Sequence, residues 1–132
     1  MTNNHLLIRA LRLNATFSGA SALFLLAAGP WVAAQLGLAS TMPVYVTAGL
    51  LAVFALQLGN IVRTKEIRSL EITAIILGDF AWVAGSAVLV ALFYPSLTTM
   101  GLLLVNLVAI AVLFLAIQQI RGLRALRRDA AT

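Results

Sequence analysis

Cysteine is missing from this sequence of 132 residues, and histidine occurs once, as His5 near its start. Without a thiol there is no disulfide, no thiolate nucleophile, no iron–sulfur cluster and no thiol-ligated metal. A quinone-linked thiol exchanger is excluded with them. A single histidine at the edge of the chain also removes a bis-histidine haem or a histidine-rich metal site, so neither a metal nor any other cofactor is expected. Acidic residues are scarce too, four against nine Lys and Arg. There is no Ser, His and Asp constellation, no carboxylate pair within one apolar run, no phosphate-cradling glycine loop and no HExxH pair. An enzyme is therefore not expected.

What is abundant is hydrocarbon. Apolar residues make up 62% of the chain and charged residues only 10%, too little polar surface to enclose so much apolar matter in water. The expected solvent is lipid, and the expected fold is all-α: an integral membrane antiparallel four-helix bundle in one domain spanning 1–132. Four apolar runs mark the spans, at about 11–33, 44–62, 70–92 and 98–120, each close to the 20 or so residues that cross a bilayer core. Pro30 and Trp31 fall at the far end of the first, where a proline is tolerated and an indole suits the headgroup level. Gly37, Ser40, Thr41 and Pro43 supply an uncharged turn, and Tyr94 and Pro95 a second one. The first run also has the outline of a secretory signal with small residues at Ala33 and Ala34. Cleavage there would leave an odd number of spans, so the run is read as a retained helix.

The net charge of +5 follows the spans and does not point to nucleic acid. Arg9 and Arg12 precede span one; Arg63, Lys65 and Arg68 join spans two and three; Arg121, Arg124, Arg127 and Arg128 follow span four. These nine are every Lys and Arg in the chain, and in a four-span arrangement all lie on one side. Short loops with so complete a bias obey the positive-inside rule, which assigns both termini to the cytoplasm. Arg63, Lys65, Arg68 and the four tail arginines are read as contacts to anionic phospholipid headgroups, the tail as a helical continuation resting on the membrane. The Ala, Leu and Arg preference without Cys suggests a bacterial inner membrane.

Asp79 is the one ionisable residue deep within a span, about nine residues or roughly 13 Å beyond its start. Low polarity there disfavours the charged form. Two readings stand side by side: a proton- or cation-binding group, and a structural hydrogen-bonding group that locks helices together. Arg12 and Asn14 enter from span one, and Gln57 and Asn60 from span two, at overlapping depths, so these four are the expected neighbours of Asp79. Asn14, Ser18 and Ser21 share one helical face, as do Asp79, Trp82 and Ser86. Trp82 is expected to pack in the core or line a cavity, and Asn106 of span four to complete the interior network. Gln118 and Gln119 are read as boundary residues. Ala15, Gly19 and Ala22, and on span three Ala74, Gly78, Ala81 and Gly85, form smooth faces for close helix packing, expected within the bundle rather than between protomers.

The segment Leu11-Arg12-Leu13-Asn14-Ala15-Thr16-Phe17-Ser18-Gly19, with Gly78-Asp79-Phe80-Ala81-Trp82, resembles a pattern recurrent in small uncharacterised four-span bacterial membrane proteins. Size and span number are loosely similar to the DoxX-like proteins and to the small multidrug transporters. The acidic residue lies in span three here and in span one in the latter, so their exchange site is not carried over. The resemblance implies a four-span fold and brings no activity with it. Three functions follow in order: a non-enzymatic accessory protein binding lipid or a larger membrane complex; a small oligomeric transporter or channel using Asp79 for a proton or cationic solute; and, last, a membrane enzyme acting on lipid.

Overall fold

The computed structural model describes residues 4–131, which are all-helical, with no strand among them. Four helices are long and apolar enough to cross a membrane: α1 (Asn4–Ala27), α3 (Met42–Thr64), α4 (Ser69–Phe93) and α5 (Thr99–Ala131). A short helix, α2 (Gly29–Gln35), follows α1, and a single 3-10 turn (Tyr94–Ser96) precedes α5.

Where the sequence reads one span over 11–33, the helix breaks at Ala28, whose backbone leaves the helical region at φ −115 and ψ 20. Pro30 is the cause. It has no N–H to donate to the preceding turn, and its ring crowds the carbonyl four residues back. Gly29 beside it is buried where a Cβ would collide with the Tyr45 ring. Gly37 reverses the chain after α2 with φ +70, and its N–H donates to the Ala34 carbonyl at 3.2 Å. At the other turn Lys65 takes a left-handed φ of 58 and donates its N–H to Ile61 at 2.7 Å, closing α3.

The long helices pack in the order α3, α1, α5, α4. All four contribute to one apolar cluster, built from Leu7, Leu11, Leu58, Ile61, Ile72, Ile75, Ile76 and Leu123. This cluster lies toward the end that carries the nine basic residues, here called the basic end. A smaller cluster of Val32, Ala33 and Val44 sits at the far end, where the Thr98 N–H donates to the Gln35 carbonyl at 3.1 Å and joins the two far turns. Gly101 lets α5 approach that same carbonyl.

Two expectations are corrected here. The tail continues the fourth helix, as expected, and α5 runs unbroken over 33 residues, about 50 Å at 1.5 Å per residue, but the start of this extension packs against the bundle. The extension is partly buried: Leu123 joins the apolar cluster, and Gly122 brings α5 against the Leu7 backbone, where a Cβ would stand 2.7 Å from the Leu7 Cα. It is thus packed on α1 over its first turn rather than free to rest wholly on lipid. The second correction concerns the small residues. On α1 they pack inside, Ala22 buried and Gly19 facing the Ala55 methyl. On α4, Ala74, Gly78, Ala81 and Gly85 are exposed, and Gly78 and Gly85 face open space.

Candidate functional site

Four polar side chains are buried among the described residues: Asn14 (2% exposed), Ser18 (3%), Asp79 (5%) and Gln119 (0%). They come from three helices and meet at one point. Asn14 reaches it because its face of α1 also carries buried Leu7, Leu11 and Ser18, spaced three and four residues apart. Asp79 continues the buried stripe of Ile72, Ile75 and Ile76 on α4. Gln119 lies on the stripe of α5 that includes Val112, Leu115, Ala116 and Leu123.

The geometry is a closed ring. The Asn14 amide donates to Asp79 Oδ2 at 3.1 Å and to Gln119 Oε1 at 2.9 Å. Gln119 Nε2 donates to the same Asp79 oxygen at 2.7 Å. Asn14 Oδ1 in turn accepts from the Ser18 hydroxyl at 3.1 Å. Both amide hydrogens of Asn14 are therefore committed, and one carboxyl oxygen of Asp79 receives two amide donors. Such a ring locks the register of α1, α4 and α5, because each partner would be left buried and unpaired if one helix slid or turned. Chemically it can hold a carboxyl in place. No group of three or more His, Cys, Asp or Glu that could hold a metal ion occurs among the described residues.

The expected neighbours of Asp79 divide sharply. Asn14 hydrogen-bonds the carboxyl directly. Arg12 is exposed and lines a different cavity, nearer the basic end. Gln57 and Asn60 are exposed on α3, where Gln57 donates to Glu71 Oε1 at 3.2 Å and Asn60 accepts from Arg63 at 3.0 Å. Gln57 meets α4 at Glu71, eight residues nearer the start of that helix than Asp79, so neither it nor Asn60 reaches the carboxyl. Asn106 does not complete the network. It is exposed and lines a cavity of about 360 Å³ between α4 and α5, with Val83, Ser86, Val90 and Val105. Trp82 is half-buried outside the ring, and its indole nitrogen is buried without a hydrogen-bond partner. Ser86 bonds back to the Trp82 carbonyl at 2.8 Å, the local role expected of a helical serine.

Gln119 is the residue that sequence reasoning missed. It was placed at the membrane boundary because the apolar run ends at Arg121, yet α5 continues far past that point. A usable signal was present: Gln119 is spaced by three, four and seven residues from apolar Ala116, Leu123 and Val112 on a single face, while Gln118 is turned away from it. The basic residues Arg63, Lys65, Arg68, Arg121, Arg124, Arg127 and Arg128, expected from the sequence to meet lipid headgroups, are exposed throughout. Within it, Arg127 donates to Ser69 Oγ at 2.8 Å, tying the end of α5 to the start of α4. Comparison with family models, with curated proteins and with solved structures returns no match to this chain.

Proposed function

We propose that this chain is a multi-pass protein of the bacterial inner membrane, an antiparallel four-helix bundle with both termini in the cytoplasm. Its role is that of a non-enzymatic accessory protein that binds lipid, anionic phospholipid included, or a larger membrane complex. The orientation rests on the nine Lys and Arg, all at one end of the helices. Because the chain has no cysteine of its own, topology is directly testable: Ser40→Cys should react with an impermeant thiol reagent in intact cells, and Ala131→Cys only after lysis. Labelling of both in intact cells would overturn the orientation.

The accessory role rests above all on the closure of the Asp79 ring. A carboxyl that exchanges a solute needs a path to water, whereas this one is buried among amide donors and lines neither of the two cavities described. The open small-residue face of α4 adds support, since such faces are where transmembrane helices approach one another closely. Gentle extraction from native membranes should recover the chain with one larger complex, and recovery of the lone chain would count against this reading.

A second reading, a small oligomeric transporter or channel using Asp79 for a proton or cationic solute, has one observation in its favour. The cavity between α4 and α5 begins at Val83, a single turn beyond Asp79. In liposomes carrying a pH-sensitive dye, transport predicts a proton flux that Asp79→Asn abolishes; the accessory reading predicts the leak of empty liposomes for both.

A further inference from the structure

We propose that the basic end carries a discrete site for the phosphate of an anionic phospholipid headgroup, formed by His5, Arg9 and Arg12 of α1 with Lys65 at the end of α3. The proposal rests on the membrane and lipid-binding reading above and adds to it a place, since the lipid contacts inferred from the sequence were spread over the connector and the tail. His5, Arg9 and Arg12 are separated by four and three residues, so they occupy one face of α1. That face cannot rotate freely, because Leu7 and Leu11 beside it are fully buried in the apolar cluster. With Asn4, Ile8 and Lys65 these residues line an open-sided cavity of about 330 Å³ whose described lining includes no carboxylate.

Lys65 provides an independent indication. It is the only non-glycine residue among those described with a positive φ, in a backbone conformation that Gly or Asn adopts more readily. A turn alone would be better served by glycine; lysine at this position adds a charge to the cavity wall. Two guanidinium groups and an ammonium thus line, with an amide and an imidazole, a space whose described lining carries no carboxylate. The oxygens of a phosphate there would accept the paired N–H groups of arginine. The source is lipid because of where the site lies. Its residues sit where the first apolar run begins, at Leu11, and just past where the second ends, at Val62, the level of the headgroups. By contrast, Arg63 and Arg127 already donate to Asn60 and Ser69 within the chain.

The test is native mass spectrometry of the full chain in detergent, titrated with phosphatidylglycerol or phosphatidylcholine. Removing both arginines (Arg9→Gln with Arg12→Gln) should weaken phosphatidylglycerol binding about thirtyfold, and Lys65→Asn about fivefold. Asparagine keeps the left-handed turn while removing the charge. A control pair with equal charge loss in the tail, Arg124→Gln with Arg128→Gln, should leave the tightest binding event in place. Equal weakening by both pairs would overturn the discrete site and leave a diffuse basic surface, with the broader lipid reading intact. If the unaltered chain shows no preference for phosphatidylglycerol over phosphatidylcholine, the site and the lipid-binding part of the proposed function fall together. Displacement of the lipid by inorganic phosphate at similar concentration would assign the site to a soluble anion and overturn the lipid source. Helicity by circular dichroism establishes that each variant is folded, and if the double arginine variant is not, Lys65→Asn decides.

Discussion

The two halves of α4 are both rich in apolar residues and have opposite surroundings. From Ser69 to Asp79 the helix buries Ile72, Ile75, Ile76 and Asp79; from Phe80 to Phe93 it buries nothing among the described residues, and Val88, Leu92 and Phe93 are exposed. The same contrast runs through the molecule. The main apolar cluster and the polar ring occupy the basic half, while the far half is held by a smaller cluster and by the tie between its turns. In water such an unburied apolar half would be a liability; in a bilayer it costs little, because lipid chains are as apolar as leucine. Burial in a membrane helix therefore marks where the protein is held together, and hydrophobicity does not.

The sharpest way to break this comparison is a pair of cavity substitutions on α4. Ile72→Ala, at a fully buried position, should destabilise the bundle by about 2–5 kcal/mol, read by unfolding in mixed detergent micelles. Val88→Ala, in the exposed half, should change stability by no more than about 0.5 kcal/mol. Equal losses would mean that the far half is packed against something that these contacts omit.

Next in size is the ring. Gln119→Leu leaves Asp79 and Asn14 each short of one partner and should cost about 1–3 kcal/mol. Combined with Asp79→Asn, the losses should be non-additive by about 0.6 kcal/mol or more, the scale of side-chain hydrogen bonds between membrane helices. The pair Asp79→Asn and Arg12→Gln should be additive, since Arg12 is exposed away from the ring. Non-additivity of that second pair would contradict the separation of the two sites.

Glycines provide the finest comparison. Gly122→Ala drives a methyl toward the Leu7 backbone and should lower stability by about 1–3 kcal/mol, the range for overpacking. Gly85→Ala, facing open space in the exposed half, should have the smallest effect, neutral or a gain of up to about 1 kcal/mol from helix propensity. A pronounced loss from Gly85→Ala, seen in native membranes and absent from the purified chain, would show that another helix covers that face there.

Much of this architecture can be read from residues alone, and particular cases show where reading stops. The apolar runs at 44–62 and 70–92 fall inside α3 and α4. The run at 98–120 ends at Arg121, and the helix carries on through the arginines as the tail pattern suggests, because a helical backbone continues whether its side chains sit in lipid or water. Asp79 stands out in any reading as a lone carboxyl in hydrocarbon. Asn14 was found with it by depth and polarity, but Arg12, Gln57, Asn60 and Asn106 met the same criterion and lie elsewhere.

Composition and charge placement alone determined that this chain forms long apolar helices with their basic residues gathered at one end, because transfer into hydrocarbon is decided residue by residue. Which side chains meet was decided only by the packed structure. Depth along a helix can be counted from sequence, but the direction in which a side chain points across the bundle depends on which helices are neighbours. It is the convergence of the buried faces of α1, α4 and α5 that gives Asp79 the amides of Asn14 and Gln119.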